Sequence, residues 1–139
     1  MQRKVFKLFT DGACRGNPGV GGAGAVITDD GGRVVWQANE YLERCTNNIA
    51  EYKALILGLQ GARQCGCRHL EIFMDSELLV KQINGSYQVK NENLKTLMKE
   101  VRELLSGFDS TVVKHVPRSY NAQADRLANM AIDGEMITS

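Results

Sequence analysis

The sequence predicts an α/β fold: a mixed five-stranded sheet, order 3-2-1-4-5, with helices on both faces. Three observations carry this. Three strand-like segments follow one another through short turns, and helical and strand-like segments then alternate. The 139 residues, 43% of them hydrophobic, suit one compact domain, taken as residues 1–139. Strands joined by short turns pair antiparallel, whereas strands joined by a helical crossover run parallel and the crossover is right-handed. A sheet of this kind is covered by helices on each side.

Val5 to Thr10 is rich in β-branched and aromatic residues and is expected to stop at Asp11-Gly12. A glycine-rich loop is expected from Arg15 to Gly22, then a second strand from Gly24 to Thr28. Asp29-Asp30-Gly31-Gly32 is a hairpin turn signal, and Val34 to Tyr41 reads as the third strand. Thr46 is placed to cap a helix from about Asn47 to Gln64. His69 to Met74 is a short strand ending at Asp75-Ser76, and Ser76 caps a shorter helix that ends near Asn84-Gly85. From Asn91 onward, Leu94, Leu97, Met98, Val101, Leu104 and Leu105 recur at helical spacing. Thr111 to Val116 is a strand stopped by Pro117, and Ser119 begins a last helix.

Four acids stand at structurally awkward places. Asp11 and Asp75 each end a strand, and those strands are neighbours in the expected sheet. Their ends lie at the edge where open α/β sheets bind ligands. Glu51 shares a stripe with Ala54, Leu55, Gly58 and Ala62, so a carboxylate falls on the inner face of its helix. Asp125 is expected to repeat this with Ala122, Ala128 and Ile132. Burying an unpaired charge is costly, and close like charges repel. A divalent cation relieves both penalties. Oxygen donors without clustered His or Cys favour a hard ion, Mg²⁺ or Mn²⁺. Two such ions ~3.5–4 Å apart suit a phosphoryl transfer. For any single Asp after a strand, a turn or cap is the commoner reading; it is the convergence of four that argues otherwise.

Other features narrow the reading. Gly19 to Gly24 formally matches G-x-G-x-x-G, but a strand follows where a dinucleotide fingerprint needs a helix, and no P-loop is present. These glycines are read as bending the chain into a hairpin, with close approach to a sugar-phosphate backbone as a residual role. Asn47 and Asn48 sit one turn before Glu51, and Asn121 one turn before Asp125; each is a cap or a reader of ribose and phosphate. Net charge is +1, which argues neither for nor against nucleic acid and requires any binding face to concentrate its Lys and Arg. No secretory signal is read at Met1 to Lys4, and no apolar stretch approaches the ~20 residues that span a bilayer. Cytoplasmic localisation, no membrane and free thiols are expected. Cys65-Gly-Cys67 is too closely spaced for a zinc knuckle and has no completing ligand pair.

The segments Asp11 to Gly19, Thr46 to Glu51, Met74 to Ser76 and Asn121 to Asp125, in that order, resemble the type 1 ribonuclease H family. The resemblance implies a ribonuclease H-like fold and an endonuclease that hydrolyses the RNA strand of RNA–DNA hybrid duplexes, leaving 3′-hydroxyl and 5′-phosphate ends. It implies that Asp11, Glu51, Asp75 and Asp125 hold two Mg²⁺ ions. By the same matching, Gly12, Ala13 and Cys14, with Asn17, Asn47 and Asn48, contact ribose 2′-hydroxyls, which distinguish RNA from DNA. Arg44, Thr46 and Asn91 form a phosphate pocket for the DNA strand. The chain departs from the pattern in three places. The connection from Ile83 to Leu94 is short and lacks the Trp and Lys clusters of a basic protrusion. Glu77 stands where many members have Gln. Arg118 stands in the loop where members often carry a mobile His, and is expected to act in catalysis at the rim; His115 lies earlier, in the strand. No obligate protein partner is implied and a monomer is expected. Two alternatives share these acids: a DNA-directed nuclease or junction resolvase, and a non-catalytic hybrid-binding module.

Overall fold

The computed structural model describes residues 4–134, so the outermost residues of the expected 1–139 domain lie outside the described residues. Strands β1 (Val5–Arg15), β2 (Gly19–Thr28) and β3 (Val34–Cys45) form an antiparallel meander. Helix α1 (Asn47–Gln64) leads to β4 (His69–Met74), which runs parallel to β1. Helices α2 (Glu77–Ile83) and α3 (Glu92–Leu105) precede β5 (Ser110–His115), parallel to β4. A short 3-10 turn, Arg118–Asn121, runs into α4 (Ala122–Ile132). The sheet order is β3-β2-β1-β4-β5, as expected.

Three side chains start the helices as anticipated. The Thr46 hydroxyl accepts from the Ile49 N–H, Ser76 from that of Leu79, and the Asn91 amide oxygen from that of Leu94, each at 3.2 Å. These caps satisfy donors that a helix start leaves open. No helix among the described residues is long and apolar enough to cross a membrane.

The strands of the meander are longer than expected. β1 does not stop at Asp11-Gly12 but continues to Arg15, and β2 begins at Gly19. β3 likewise runs past Tyr41 to Cys45. Gly19, Gly21 and Gly22, expected in a loop, are therefore ladder residues, as Gly24 was expected to be. Their purpose is close approach. A Cβ at Gly22 would collide with the Ala128 carbonyl, and one at Gly24 with that of Ala124. A Cβ at Gly21 would displace the Cys45 sulfur. Glycine weakens a strand in general, but here it lets other groups approach the sheet closely.

The two faces differ in what covers them. Leu8, Ile27, Leu55, Leu59, Leu70 and Ile72, all essentially without exposure, join Val101 in one core beneath α1 and α3. On the other face α4 buries Ala124, Leu127, Ala128 and Ala131. Asp125 does not share the buried stripe expected for it: Ala122 is exposed, and Asp125 sits at the margin of the stripe, half-buried. A helix turns 100° per residue, and the buried set here is centred on Ala124, Leu127, Ala128 and Ala131, one residue away from the expected register.

Candidate active site

Three acids from three elements meet at one edge of the sheet. Asp11 in β1, Glu51 in the second turn of α1 and Asp75 just past β4 offer oxygens that all lie within 4.8 Å of one another. Gly12 makes this possible. A Cβ there would strike the backbone of Ala50 and Glu51, so its absence lets α1 rest against β1 and bring Glu51 to Asp11.

The environment disfavours the charged forms of Asp11 and Glu51. Burial first, then the Asp75 charge and a hydrogen bond with Asp125, push Asp11 up to about 8. Burial and the Asp75 charge push Glu51 up to about 7, against the lowering effect of a hydrogen bond from Ser76. Burial disfavours a lone charge, and neighbouring carboxylates disfavour it further. Asp125 reaches Asp11 through that hydrogen bond but lies outside the close group of three. The donor set fits a hard divalent cation: all oxygen, strained by mutual repulsion, and open to a cleft.

The cleft has a volume of about 470 Å³. Besides the four acids it is lined by Gly12, Ala13, Cys14, Asn47 and Arg118. Arg118 is thus brought to the rim of the acidic cluster. The Asn17 side-chain oxygen accepts from the Asn47 N–H at 3.0 Å, which ties the β1–β2 turn to the start of α1. The half-buried Cys14 thiol donates to the Cys45 carbonyl at 3.0 Å. Arg44, Thr46, Asn48 and Asn91 do not line this cleft. Thr46 and Asn91 spend an oxygen each on their caps.

Asn121 differs from both readings made of it. It is buried and makes no side-chain cap; its Nδ2 donates to the Thr10 carbonyl at 2.8 Å. It fastens the entry of α4 to β1, one residue before Asp11. Two lining residues were not singled out from the sequence at all, Arg15 and Asn129. Asn129 lies one helical turn after Asp125, a spacing that could have drawn attention to it.

Known proteins agree with this architecture. The family described as reverse transcriptase-like matches residues 9–131. Ribonuclease HI of Halobacterium salinarum is 42% identical over 125 residues, covering 90% of this chain and 63% of that protein. The N-terminal ribonuclease H domain of a Mycobacterium tuberculosis protein superposes with a TM-score of 0.91 at 38% identity, covering 95% of this chain and 96% of that one. A ribonuclease H1 solved in complex with an RNA/DNA hybrid gives 0.89 at 40% identity, covering 93% and 97%. The chain spans 63% of the full halobacterial protein and 35% of a bifunctional mycobacterial one. In its acidic cluster, its strand order and the extent of these matches, the chain belongs to the type 1 ribonuclease H family.

Proposed function

We propose that this chain is a divalent-cation-dependent endoribonuclease that hydrolyses the RNA strand of RNA–DNA hybrids, leaving 3′-hydroxyl and 5′-phosphate ends. The observation that carries the proposal is the meeting of Asp11, Glu51 and Asp75 within 4.8 Å, where burial and the Asp75 charge push Asp11 up to about 8 and Glu51 up to about 7. A fold does not maintain such a cost without a counter-charge. Asp11, Glu51, Asp75 and Asp125 would hold two Mg²⁺ ions, with Mn²⁺ able to replace them. When bound, the ions would activate water and stabilise the departing oxygen of the cleaved phosphodiester.

The chain's other residues bind and orient. The backbone at Gly12, Ala13 and Cys14, with Asn17, Asn47 and Asn48, is assigned to the 2′-hydroxyls of the RNA strand. Arg44, Thr46 and Asn91 are assigned to a phosphate of the DNA strand, away from the acidic cleft. Arg118, on the rim, is assigned to a phosphate next to the cleaved bond, since a guanidinium grips phosphate bidentately. The catalytic unit is taken as one domain over residues 1–139, acting as a monomer. Its four free cysteines suit a reducing cytoplasm.

The test is paired. Wild type and Asp75→Asn are compared for cleavage of a labelled hybrid in Mg²⁺ and for affinity towards the same hybrid in Ca²⁺. Asn keeps the shape of Asp but is a poor ligand for a hard cation. Cleavage should vanish while affinity stays within about threefold, because binding rests on sugar and phosphate contacts elsewhere. Equal cleavage by the two proteins would sink the assignment. A wild type that binds but never cuts, in Mg²⁺ or Mn²⁺, would make the chain a hybrid-binding module. Cleavage of duplex DNA in preference to hybrid would make it a DNA-directed nuclease.

A further inference from the structure

Asp125 lies outside the close group of three acids and meets it through a hydrogen bond with Asp11. A chain of contacts leads away from it across the surface. Asn129 Nδ2 donates to the Asp125 carbonyl at 3.0 Å and approaches its carboxylate Oδ1 at 3.4 Å. Asn129 Oδ1 accepts from Arg15 Nη2 at 3.2 Å. Arg15 Nη1 in turn pairs with Asp133 Oδ1 at 2.6 Å. The far end of β1 is thereby clipped to the last turn of α4 and to its C-cap residue, Asp133.

The polarity of this chain is fixed by chemistry. A guanidinium only donates, so the Asn129 oxygen must face Arg15 and its NH₂ must face Asp125. Rotating the amide would set donor against donor and oxygen against carboxylate. Asp133 holds one nitrogen of Arg15 while the other serves Asn129, since a planar fork can serve two acceptors at once. The Arg15–Asp133 pair is half-exposed on both sides, and such surface pairs contribute little to stability. Its effect is therefore expected in orientation.

We propose that Arg15 and Asn129 are positioning residues that hold Asp125 at the outer side of the acidic cluster and so set how tightly the cation nearest Asp125 binds. This rests on the reading of Asp125 as a metal ligand. Groups that orient metal ligands without touching the metal commonly change affinity ~10–100-fold when lost.

The experiment compares wild type with Asn129→Ala, Arg15→Met and Arg15→Lys. Three quantities are read: the Mg²⁺ concentration giving half-maximal cleavage at saturating hybrid, the KM for hybrid, and Mn²⁺ binding to the free protein by calorimetry. Asn129→Ala and Arg15→Met should need about tenfold more Mg²⁺ and bind Mn²⁺ correspondingly more weakly. Their KM should stay within about twofold of wild type, and excess Mg²⁺ should restore kcat. The metal-free Tm should move by less than ~2 °C, as expected for a surface pair. Arg15→Lys should follow Arg15→Met, because one ammonium cannot replace the fork. Wild-type metal dependence in all three variants would overturn the proposal. So would a raised KM with unchanged metal dependence, which would make Arg15 a phosphate contact. If wild type itself neither binds Mn²⁺ nor cleaves, the failure belongs to the functional reading beneath.

Discussion

On the α1 side of the sheet, Leu8, Ile27, Leu55 and Leu59 interlock as full-sized side chains. On the α4 side, Gly22 and Gly24 leave room for backbone carbonyls of Ala128 and Ala124 to lie against β2. One face is filled by volume and the other by the lack of it. Each delivers an acid to the same edge, Glu51 from α1 and Asp125 from α4. On the filled face, removing atoms does the harm, because the space cannot fully collapse. On the thin face, adding atoms does the harm, because nothing flexible stands in the way to yield. The thin face sets the height of α4 above the sheet, and with it the height of Asp125.

The contrast breaks first at Leu55, which is fully buried. Leu55→Ala should lower unfolding stability by ~2–5 kcal/mol in a denaturant titration. Its cleavage rate below the melting range should stay close to wild type; a loss of rate at unchanged stability would contradict the division of roles.

The next largest effect lies where the two faces meet. Asp11 and Glu51 titrate at about 8 and about 7 in the folded chain, against ordinary values of 3.8 and 4.5. The folded state thus holds more protons than the unfolded one between these limits. Stability from this source is complete below about pH 4 and is lost as pH rises to about 8. The metal-free protein should therefore lose on the order of a few kcal/mol across that window, read as a falling Tm from pH 5 to 8. Asp11→Asn should flatten the fall and added Mg²⁺ should shrink it. A wild-type profile no steeper than that of the variant would refute the linkage.

Gly24→Ala probes the thin face with a single methyl. It should cost ~1–3 kcal/mol by overpacking against the Ala124 carbonyl. Cleavage at a temperature where the variant is fully folded should fall well below wild type, because α4 and Asp125 are lifted together. Retained activity would mean that Asp125 tolerates the displacement. The smallest effect is assigned to Arg118, at the entry to α4. Arg118→Ala should lower kcat about tenfold, equal to ~1.4 kcal/mol, with Tm unchanged. Unchanged kcat and KM would leave Arg118 a solvated surface residue.

Much of this was legible in the sequence. Strand order, helix caps and the meeting of Asp11, Glu51 and Asp75 follow from alternation, capping residues and the stripe on α1. Three things were not. Gly19 to Gly22 read as part of a loop because glycine breaks strands on average, and the use of Gly22 for close approach depends on Ala128, over a hundred residues later. Asn121 read as a cap or a substrate contact, whereas its partner is the Thr10 carbonyl, 111 residues away. The Arg15–Asp133 pair spans 118 positions and leaves no periodic trace. Local rules see what neighbours along the chain do; these three contacts are decided by tertiary packing.

The cysteines make the cleft chemically addressable. Cys45 and Cys67 are buried, and burial pushes both thiols up to about 11, so both resist alkylation. Cys65 is exposed at the opposite end of α1 from the acids, and Cys14 lines the cleft itself. A maleimide fluorophore should thus label two sites, and only one of them should be shielded by a hybrid lying across β1. With Cys65 replaced by Ser, the rate of labelling at the native Cys14 becomes an occupancy gauge, usable in Ca²⁺ without turnover.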